Sequence, residues 1–363
     1  MTERKMPIRK RPSSTQTFPA ELGALGNIRR TILFDGVTPL EFMPNLSEHC
    51  GGARLFVKRD DCTGLTFGGN KVRQIEFYLG EAVAQRADTI LITGAVQSNF
   101  VRTAAAAARQ LGMECHIQQE ERVANTDQQY RESGNVLIVK LLGATLSSYP
   151  SGEDEAGADR QVGLIADELR AQGRNPYIIP LGPGHAPLGA LGYVVAAQEL
   201  LHQVNESGLE VENVFVGSGS GATHGGLLFG LKTLGSKIGV IGVCVRREAE
   251  LQRERIANTC AQIATLLGTE NPVADADIKL DDGFLAPGYG VPGQSVLDAI
   301  MLAARTEGLI LDPVYTGKVM AGTIHHAKLA SPESSNIFLH TGGTPAIFAY
   351  QDTLAAAAVS HST

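Results

Sequence analysis

Short apolar runs along the chain alternate with longer segments that have one apolar face, and glycines separate the two. Residues 89–93 are rich in β-branched side chains and predict a strand, and the Ala-rich segment 101–111 predicts the helix after it. Gly112 ends that helix, and residues 115–117 open the next strand. Residues 136–142 predict one more helix. This alternation is typical of an α/β protein.

The same order of elements recurs in the second half of the chain. Residues 213–216 predict a buried strand, a Gly/Ser turn follows, and residues 225–234 predict a helix. Residues 238–245 are apolar almost throughout, as expected of a strand in a parallel sheet whose two faces are both covered. We therefore predict the class α/β, with open, mostly parallel twisted sheets that bind ligands at the carboxyl ends of their strands.

Breaks in the pattern divide the chain. Residues 1–27 lack an apolar run and predict a flexible tail. Residues 148–161, with a proline, glycines and four acidic residues, predict a surface loop, and residues 182–187 predict a crossing between two lobes. The charged run 246–250 predicts a solvated face. A chain of 363 residues is long enough for two lobes with buried cores.

Composition excludes several classes of protein. The net charge of -7 predicts no nucleic-acid partner, because phosphate neutralisation needs a basic face. The five cysteines are scattered without a CxxC pair, which predicts neither a disulfide framework nor a metal site and favours a reducing cytoplasm. The basic start is followed by polar residues rather than by the apolar run of a secretory signal. No apolar stretch of about 18 residues predicts a membrane span.

The first candidate for chemistry is the tetrapeptide Gly68-Gly69-Asn70-Lys71. Two glycines let the backbone pass close to a flat ligand, and the lysine amine can condense with an aldehyde. The amide of Asn70 could donate to an oxygen beside the same carbon. A Gly-Gly-Asn turn before a surface lysine explains the tetrapeptide equally simply.

The second candidate is the loop 217–223, which lies between a predicted strand and a predicted helix. Such a loop directs several N–H groups and hydroxyls to one point, where the end of the helix favours an anion. The spacing fits neither a nucleotide P-loop nor a dinucleotide site, so a single small phosphate fits best. A tight glycine turn without a ligand is the alternative.

The third candidate is Gln97-Ser98-Asn99, at the start of the Ala-rich helix. Side-chain donors and helix N–H groups there suit a substrate carboxylate, although simple N-capping by Ser98 or Asn99 explains the same residues. Residues 311–318 and 340–344 and the turn around Tyr289 are similar strand ends and turns, each with a structural explanation when it is taken alone.

In combination, these motifs resemble the aminocyclopropane-carboxylate deaminase and D-cysteine desulfhydrase family, of the tryptophan-synthase-β-like, type II pyridoxal 5'-phosphate (PLP) fold. The resemblance runs from about residue 38 to residue 350. The segments that carry it follow the family's order: KRDDCTGL at 58–65, GGNK at 68–71, QSN at 97–99, APGYGVP at 286–292, LDPVYTGK at 311–318 and HTGG at 340–343. With the crossing at 182–187, the predicted domains are a large PLP-binding domain of residues 28–74 and 183–363 and a small domain of residues 75–182.

The resemblance implies a role for each motif. It makes Lys71 the Schiff-base lysine and Asn70 the partner of the ring oxygen of PLP. It implies that Tyr289 and Tyr315 are catalytic and that Thr341 or Thr316 faces the pyridine nitrogen. The implied phosphate cup consists of Ser218, Gly219, Ser220, Gly221, Ala222 and Thr223. The implied substrate-binding residues are Gln97, Ser98, Asn99 and Phe100, with Ser98 close enough to take part in catalysis.

Thr316 indicates which reaction to expect. Family members that open a cyclopropane ring carry Glu after the tyrosine, where its charge keeps the pyridine nitrogen protonated. A neutral threonine leaves that nitrogen less basic, which suits β-elimination and disfavours ring opening. We therefore predict a PLP-dependent carbon-sulfur lyase of the D-cysteine desulfhydrase kind, which converts a small amino acid to pyruvate, ammonia and sulfide. The resemblance also implies a homodimer.

Phe100 departs from the family, which usually has His or Gln at this position. An apolar ring there either removes a hydrogen bond near the substrate or packs between helices without meeting it. Cysteate and 3-chloroalanine therefore stay alternative substrates. A β-replacement synthase shares the same fold and lysine, ring-opening deamination is disfavoured, and a PLP-binding sensor would not need Lys71, Ser98 and both tyrosines together.

Overall fold

The computed structural model describes residues 17–124, 126–180, 182 and 184–361, so residues 1–16 of the predicted tail and Pro183 of the predicted crossing lie outside it. The strands are β1 Leu40–Phe42, β2 Arg54–Lys58, β3 Thr89–Ala95, β4 Glu114–Glu120, β5 Thr145–Tyr149, β6 Pro176–Ile179, β7 Val211–Ser218, β8 Gly239–Cys244, β9 Lys279–Asp281 and β10 Ser335–Leu339. The α-helices are α1 Pro44–Cys50, α2 Lys71–Ala84, α3 Asn99–Gln110, α4 Gln128–Glu132, α5 Gly134–Leu141, α6 Glu155–Ala171, α7 Leu191–Glu206, α8 Ala222–Thr233, α9 Ala249–Leu267, α10 Gln294–Glu307, α11 Thr316–Leu329 and α12 Gln351–Ser360. Short 3-10 helices span Ala20–Asn27, Asp60–Cys62, Leu188–Ala190, Asp275–Asp277 and Thr344–Tyr350.

Two sheets organise the described part of the chain, one in each lobe. The larger has six strands in the order β1-β2-β10-β7-β8-β9, and only β1 runs antiparallel to its neighbour. The smaller has four parallel strands in the order β5-β4-β3-β6. The predicted class, α/β with mostly parallel sheets in two lobes, is confirmed.

Alternation along the strands builds a core on each face of the larger sheet. Val214 and Val216 of β7 pack on one face with α7, α8 and α9, whereas Phe215 packs on the other face with α1, α10 and α11. Ile337 and Phe338 of β10 divide in the same way. This follows from the two-residue repeat of a strand, which sends successive side chains to opposite faces.

Helix α2 connects the two lobes. Phe77 belongs to the core of the larger sheet, whereas Val72, Ile75 and Leu79 belong to the core of the smaller one. The predicted domain boundary between residues 74 and 75 falls inside this helix. The exact boundaries at 74/75 and 182/183 stay a prediction.

Three sequence expectations differ from the structure. Residues 20–27, predicted as part of a flexible tail, form a 3-10 helix whose Leu22 and Leu25 are buried in the larger core. Within the predicted loop 148–161, β5 extends to Tyr149 and α6 begins at Glu155, because the Asp154 side chain accepts a hydrogen bond from Gly157 N and caps the helix. The predicted solvated face is wrong at Arg246, whose side chain is only 7% exposed.

Candidate active site

A cavity lies between the lobes, at the carboxyl ends of strands from both sheets. Gly94 and Ala95 of β3 and Gly217 of β7 line it, together with the turns that follow β8 and β10. The predicted site residues that line it are Asn70, Lys71, Ser98, Asn99, Phe100, Gly219, Ser220, Gly221, Ala222, Thr223, Tyr289, Tyr315 and Thr341. The fold therefore brings together residues that are up to 271 positions apart in the sequence.

Lys71 is the first residue of α2 and is held in place by the glycines before it. Gly68 has a φ of +61° and Gly69 a φ of +112°, and a Cβ on Gly68 would overlap the carbonyl of Asp61. Asn70 N donates to the carbonyl of Thr341 at 3.0 Å. Only glycine fits these two positions, so the tight turn fixes where Lys71 enters the cavity.

The Lys71 amine sits in apolar surroundings. Its Nζ lies 5.3 Å from the centroid of the Phe100 ring and donates to Gln74 Oε1 at 3.2 Å. Burial lowers the pKa of Lys71 to about 8, because the charged form loses its hydration. A much larger fraction of this amine is therefore neutral near neutral pH than for an exposed lysine, and the neutral form is the one that acts as a nucleophile or a base.

The loop 217–223 leads directly into α8. Gly221 precedes the helix with a φ of +99°, a conformation that favours glycine. The Thr223 hydroxyl oxygen accepts from Asn70 Nδ2 and from Gln74 Nε2, each at 2.8 Å. With both lone pairs engaged, its own proton is left to donate, so hydroxyl and helix amides together suit a phosphate.

Two arginines hold this loop from behind, and sequence analysis missed them. Arg247 Nη1 donates to Gly219 O at 3.3 Å, and Arg255 Nε donates to Ser220 O at 3.0 Å. Both also pair with Glu155 in the first turn of α6, as does Arg246 at 2.8 Å. Burial raises the pKa of Glu155, but the three guanidinium groups outweigh it and hold that pKa below its usual value. Because α6 belongs to the smaller lobe, Glu155 ties the two lobes together.

Ser98 and Asn99 begin α3 at the edge of the cavity. Ser98 Oγ accepts from Phe100 N at 3.2 Å and from Val101 N at 3.4 Å, so it caps the helix and also lines the cavity. Asn99 Oδ1 accepts from Asn135 Nδ2 at 2.9 Å. N-capping by Ser98 is therefore confirmed, and its contact with a substrate carboxylate stays a prediction.

Phe100 both packs in the core of the smaller lobe and lines the cavity. It belongs to the core of the smaller lobe and packs edge-on against Tyr78, with ring centroids 6.2 Å apart. It also lines the cavity next to Lys71. Its ring therefore helps to set the polarity around the amine.

Tyr289 and Tyr315 form a hydrogen-bonded pair, with their hydroxyl oxygens 2.6 Å apart. Burial, followed by the neighbouring Tyr289, raises the pKa of Tyr315 well above its ordinary value. Tyr315 consequently keeps its proton and can pass it to a group in the cavity.

Three predicted site residues do not line the cavity. Gln97 Oε1 accepts from Asn135 N at 2.9 Å, so this side chain braces α5. Ser218 Oγ lies 3.0 Å from His224 Nδ1 and accepts from Gln252. Thr316 Oγ1 donates to Asp312 Oδ2 at 2.6 Å, which turns its hydroxyl away.

Other residues line the cavity although sequence analysis gave them no role. Asp312 lies in the LDPVYTGK motif but was not predicted as a site residue, and Gln74 lies three residues after Lys71, on the same face of α2. That helical spacing could have identified Gln74. Arg122 and Glu155 come from elements with no recognised motif.

Comparison with known proteins assigns the chain to a class. The pyridoxal-phosphate dependent enzyme family matches residues 32–342, so the chain belongs to this family and is a PLP-dependent enzyme. It is 41% identical over 323 residues to the D-cysteine desulfhydrases of Salmonella paratyphi B and Salmonella typhi, covering 88% of this chain and 96% of each relative.

Solved structures agree with this assignment. A crystal structure described as an ACC deaminase homologue superposes with a TM-score of 0.83 at 33% identity, covering 94% of this chain and all of that one. A fungal L-serine ammonia-lyase from Rhizomucor miehei superposes with a TM-score of 0.58 at 19% identity, which shows a shared fold. The predicted type II PLP fold is confirmed.

The residues present fit PLP. The Lys71 amine, with its lowered pKa, can react with the aldehyde of PLP. The N-terminus of α8, which follows a turn that requires glycine, lies in the same cavity and can bind the phosphate on the other side of the same ring. Among the described residues, no group of three or more His, Cys, Asp or Glu side chains could hold a metal ion. Over the same part of the chain, no helix is long and apolar enough to cross a membrane.

Proposed function

We propose that this chain is a β-eliminating carbon-sulfur lyase that acts on a small β-substituted amino acid, as a D-cysteine desulfhydrase would. The observation that carries the proposal is that the Lys71 amine and the Tyr289–Tyr315 pair line one cavity. A base for the α-proton and an acid for the leaving group are thus available in one site. The identity of 41% to D-cysteine desulfhydrases supports the same reaction.

The proposed roles follow from the contacts. Lys71 Nζ would hold the cofactor aldehyde, and the same amine in its neutral form is placed to remove the proton from Cα of the substrate. Ser98, Asn99 and the first N–H groups of α3 bind the substrate carboxylate. When bound, PLP withdraws electrons from the bond that breaks at Cα.

The leaving group departs on the side of the two tyrosines. A phenol that keeps its proton can donate it to a departing sulfur, and Tyr289 can re-protonate Tyr315 along their 2.6 Å hydrogen bond. The proton stays available because burial and Tyr289 raise the pKa of Tyr315.

We revise two of the proposed cofactor contacts. Thr341, rather than Thr316, is the threonine that lines the cavity and is our candidate to face the pyridine nitrogen. The loop contacts of the phosphate begin at Gly219, because the Ser218 hydroxyl is engaged with His224. Because Thr316 does not line the cavity, the preference for β-elimination over ring opening rests instead on the 41% identity to D-cysteine desulfhydrases.

The test measures the products of the purified holoenzyme. We expect pyruvate and sulfide from D-cysteine and no 2-oxobutyrate from 1-aminocyclopropane-1-carboxylate. Lys71→Ala should abolish both the turnover and the cofactor absorption band, whereas exchange of the exposed Lys140 to Ala should change neither. Efficient release of 2-oxobutyrate would contradict the proposal, and so would a new amino acid in place of pyruvate when sulfide is added.

We further propose a homodimer that works in the cytoplasm. All five cysteines are free, which suits a reducing compartment. Sedimentation of the holoprotein measures the subunit count, and a monomer at assay concentration would contradict this part of the proposal.

A further inference from the structure

Arg122 follows β4 and lines the cavity beside the two tyrosines. Its Nε and Nη2 donate to the buried Glu120 Oε2 at 2.8 and 2.6 Å. Burial lowers the pKa of Arg122, but Glu120, Tyr289 and Tyr315 outweigh it and keep that pKa above its ordinary value. The guanidinium is thus charged and is held in one orientation by two hydrogen bonds that converge on a single carboxylate oxygen.

The third nitrogen of this guanidinium, Nη1, has no hydrogen-bond partner among the residues that the structure describes. Within the described ranges, it is not among the buried side-chain atoms that lack a partner. Nη1 therefore remains open to the cavity. Glu120 Oε1 accepts from Thr93 Oγ1 at 2.7 Å, so the carboxylate is fixed behind the arginine rather than in the cavity.

The walls around Arg122 carry more positive than negative charge. Arg246 and Arg255 also line the cavity and share Glu155 with a third arginine, and Arg246 makes a further ion pair with the exposed Glu153. The other lining carboxylate, Asp312, accepts four hydrogen bonds from its own turn. An anion that enters this cavity therefore meets three arginines on its walls against two carboxylates, both of which already accept hydrogen bonds.

Arg246 stands next to Arg122, on the other side of Gly152. Its Nη2 donates to Gly152 O at 2.9 Å, and a Cβ on Gly152 would lie 2.5 Å from Arg122 Cγ. The Nε of Arg246 is buried without a hydrogen-bond partner in the described part of the chain. Two arginines with unused donors thus flank one glycine at this wall of the cavity.

We propose that Arg122 is a specificity-determining residue that binds an anionic group on the β-carbon of the substrate, with a sulfonate as the group it fits. This inference rests on the proposed β-elimination. The leaving group must face the tyrosines, and Arg122 is the cation beside them. A thiol has no oxygens to accept from a guanidinium, whereas a sulfonate has three.

The reaction with such a substrate balances. The bond between Cα and its hydrogen breaks, and the carbon–sulfur bond breaks with its electron pair leaving on sulfur as sulfite. The three-carbon product takes up one water to give pyruvate and ammonia. No oxidant or reductant is required, and Arg122 offsets the charge that sulfite carries away.

The test compares cysteate with 3-chloroalanine, whose leaving group carries no charge before it departs. Arg122→Gln should lower kcat/KM for cysteate about 100-fold, the size expected when a charge-assisted hydrogen bond is lost, and should change that for 3-chloroalanine less than about threefold. Arg131→Gln is the matched control, because Arg131 makes the same kind of ion pair with Glu121 on the surface. It should change neither value.

A second variant keeps the test valid if Arg122→Gln fails to fold with Glu120 unpaired. The double change Arg122→Gln with Glu120→Gln leaves a neutral pair and should show the same selective loss. Equal losses for both substrates would overturn the proposal, because Arg122 would then bind the α-carboxylate common to them. Unchanged values for both would overturn it as well.

A binding measurement separates this proposal from the proposed function. α-Methylcysteate and α-methylserine have no α-proton and cannot undergo the proposed β-elimination. Calorimetry on the holoenzyme should show that the wild type prefers the sulfonate by at least about tenfold and that Arg122→Gln loses this preference. If no substrate yields pyruvate but the preference is present, the lyase proposal fails and the anion site stands; absence of the preference overturns the anion site alone.

Discussion

Gly342 offers a test of how tightly the backbone is packed around Lys71. It has a φ of +84°, and a Cβ built on it would lie 2.7 Å from Gly69 Cα and 3.3 Å from Gly69 N. Gly64 has nearly the same φ, +85°, and nothing lies within 4 Å of a Cβ there. Alanine at the two positions therefore has the same backbone cost, and only Gly342→Ala adds an overlap.

The expected magnitudes follow from these contacts. Left-handed alanine costs about 1–2 kcal/mol, of which about 0.4–1 kcal/mol is offset because the unfolded chain also loses freedom. Gly64→Ala should thus lower the free energy of unfolding by about 1 kcal/mol. The overlap at Gly342 should add about 1–3 kcal/mol, since both contacting atoms are backbone and cannot move away as a side chain can.

The overlap also reaches the cofactor site. Asn70 N donates to Thr341 O, so the strand end and the Lys71 turn cannot separate without moving the lysine. Gly342→Ala should therefore lose bound PLP, measured as the cofactor absorption per subunit, while Gly64→Ala retains it. Urea unfolding of both holoproteins gives the stability difference. If the two variants lose the same stability and keep the same absorption, the close packing argued here is wrong.

Three further predictions concern the surroundings of the site. Glu155→Gln should lower the free energy of unfolding of the holoprotein in urea by about 1–2 kcal/mol and speed PLP loss, because three arginines lose the carboxylate they share. Glu153→Gln is the control: Glu153 is 77% exposed, and its loss should change the free energy of unfolding by less than about 0.5 kcal/mol. Equal effects of the two changes would contradict this prediction. Burial lowers the pKa of His224 to about 3, so between that pH and about 6.5 only the unfolded chain binds the proton and stability falls as the pH drops. The measurement is the urea midpoint of unfolding as a function of pH below 6.5. If His224→Gln shows the same fall in midpoint as the wild type, then His224 is not its cause. Phe100→His should change the ratio of kcat/KM between D-cysteine and 3-chloroalanine more than about threefold, since the ring lines the cavity; an unchanged ratio would show that it never meets substrate.

The sequence predicted the parts of the fold whose signal is local. The strand at 89–93 and the helix after it were identifiable because every residue of β3 is buried and Ser98 caps α3. β5 was missed because its Thr-Leu-Ser-Ser-Tyr sequence lies at an edge of the smaller sheet, where it is only partly buried. The helix at 20–27 was missed because its two buried leucines stand among small residues with no apolar run.

The site was predictable only as far as motifs reach. The turn before Lys71 and the loop 217–223 could be recognised in the sequence by their glycines, which adopt positive φ angles in the structure. A sequence motif does not specify the direction of a side chain. Thr316 was therefore expected to face the cavity, although its hydroxyl donates a hydrogen bond to Asp312. Arg122 depends on tertiary packing between β4 and the Tyr289 turn, and no spacing along the chain encodes it.

The ion pairs of Glu155 have a consequence for turnover. Arg247 and Arg255 hold the loop that precedes α8 and are themselves anchored on the opposite lobe through this one carboxylate. A bulky substrate that pushes the lobes apart would break these ion pairs and so weaken the binding of the cofactor. A small substrate therefore leaves these ion pairs intact and the cofactor bound. High salt, which screens the ion pairs, should make cofactor loss faster.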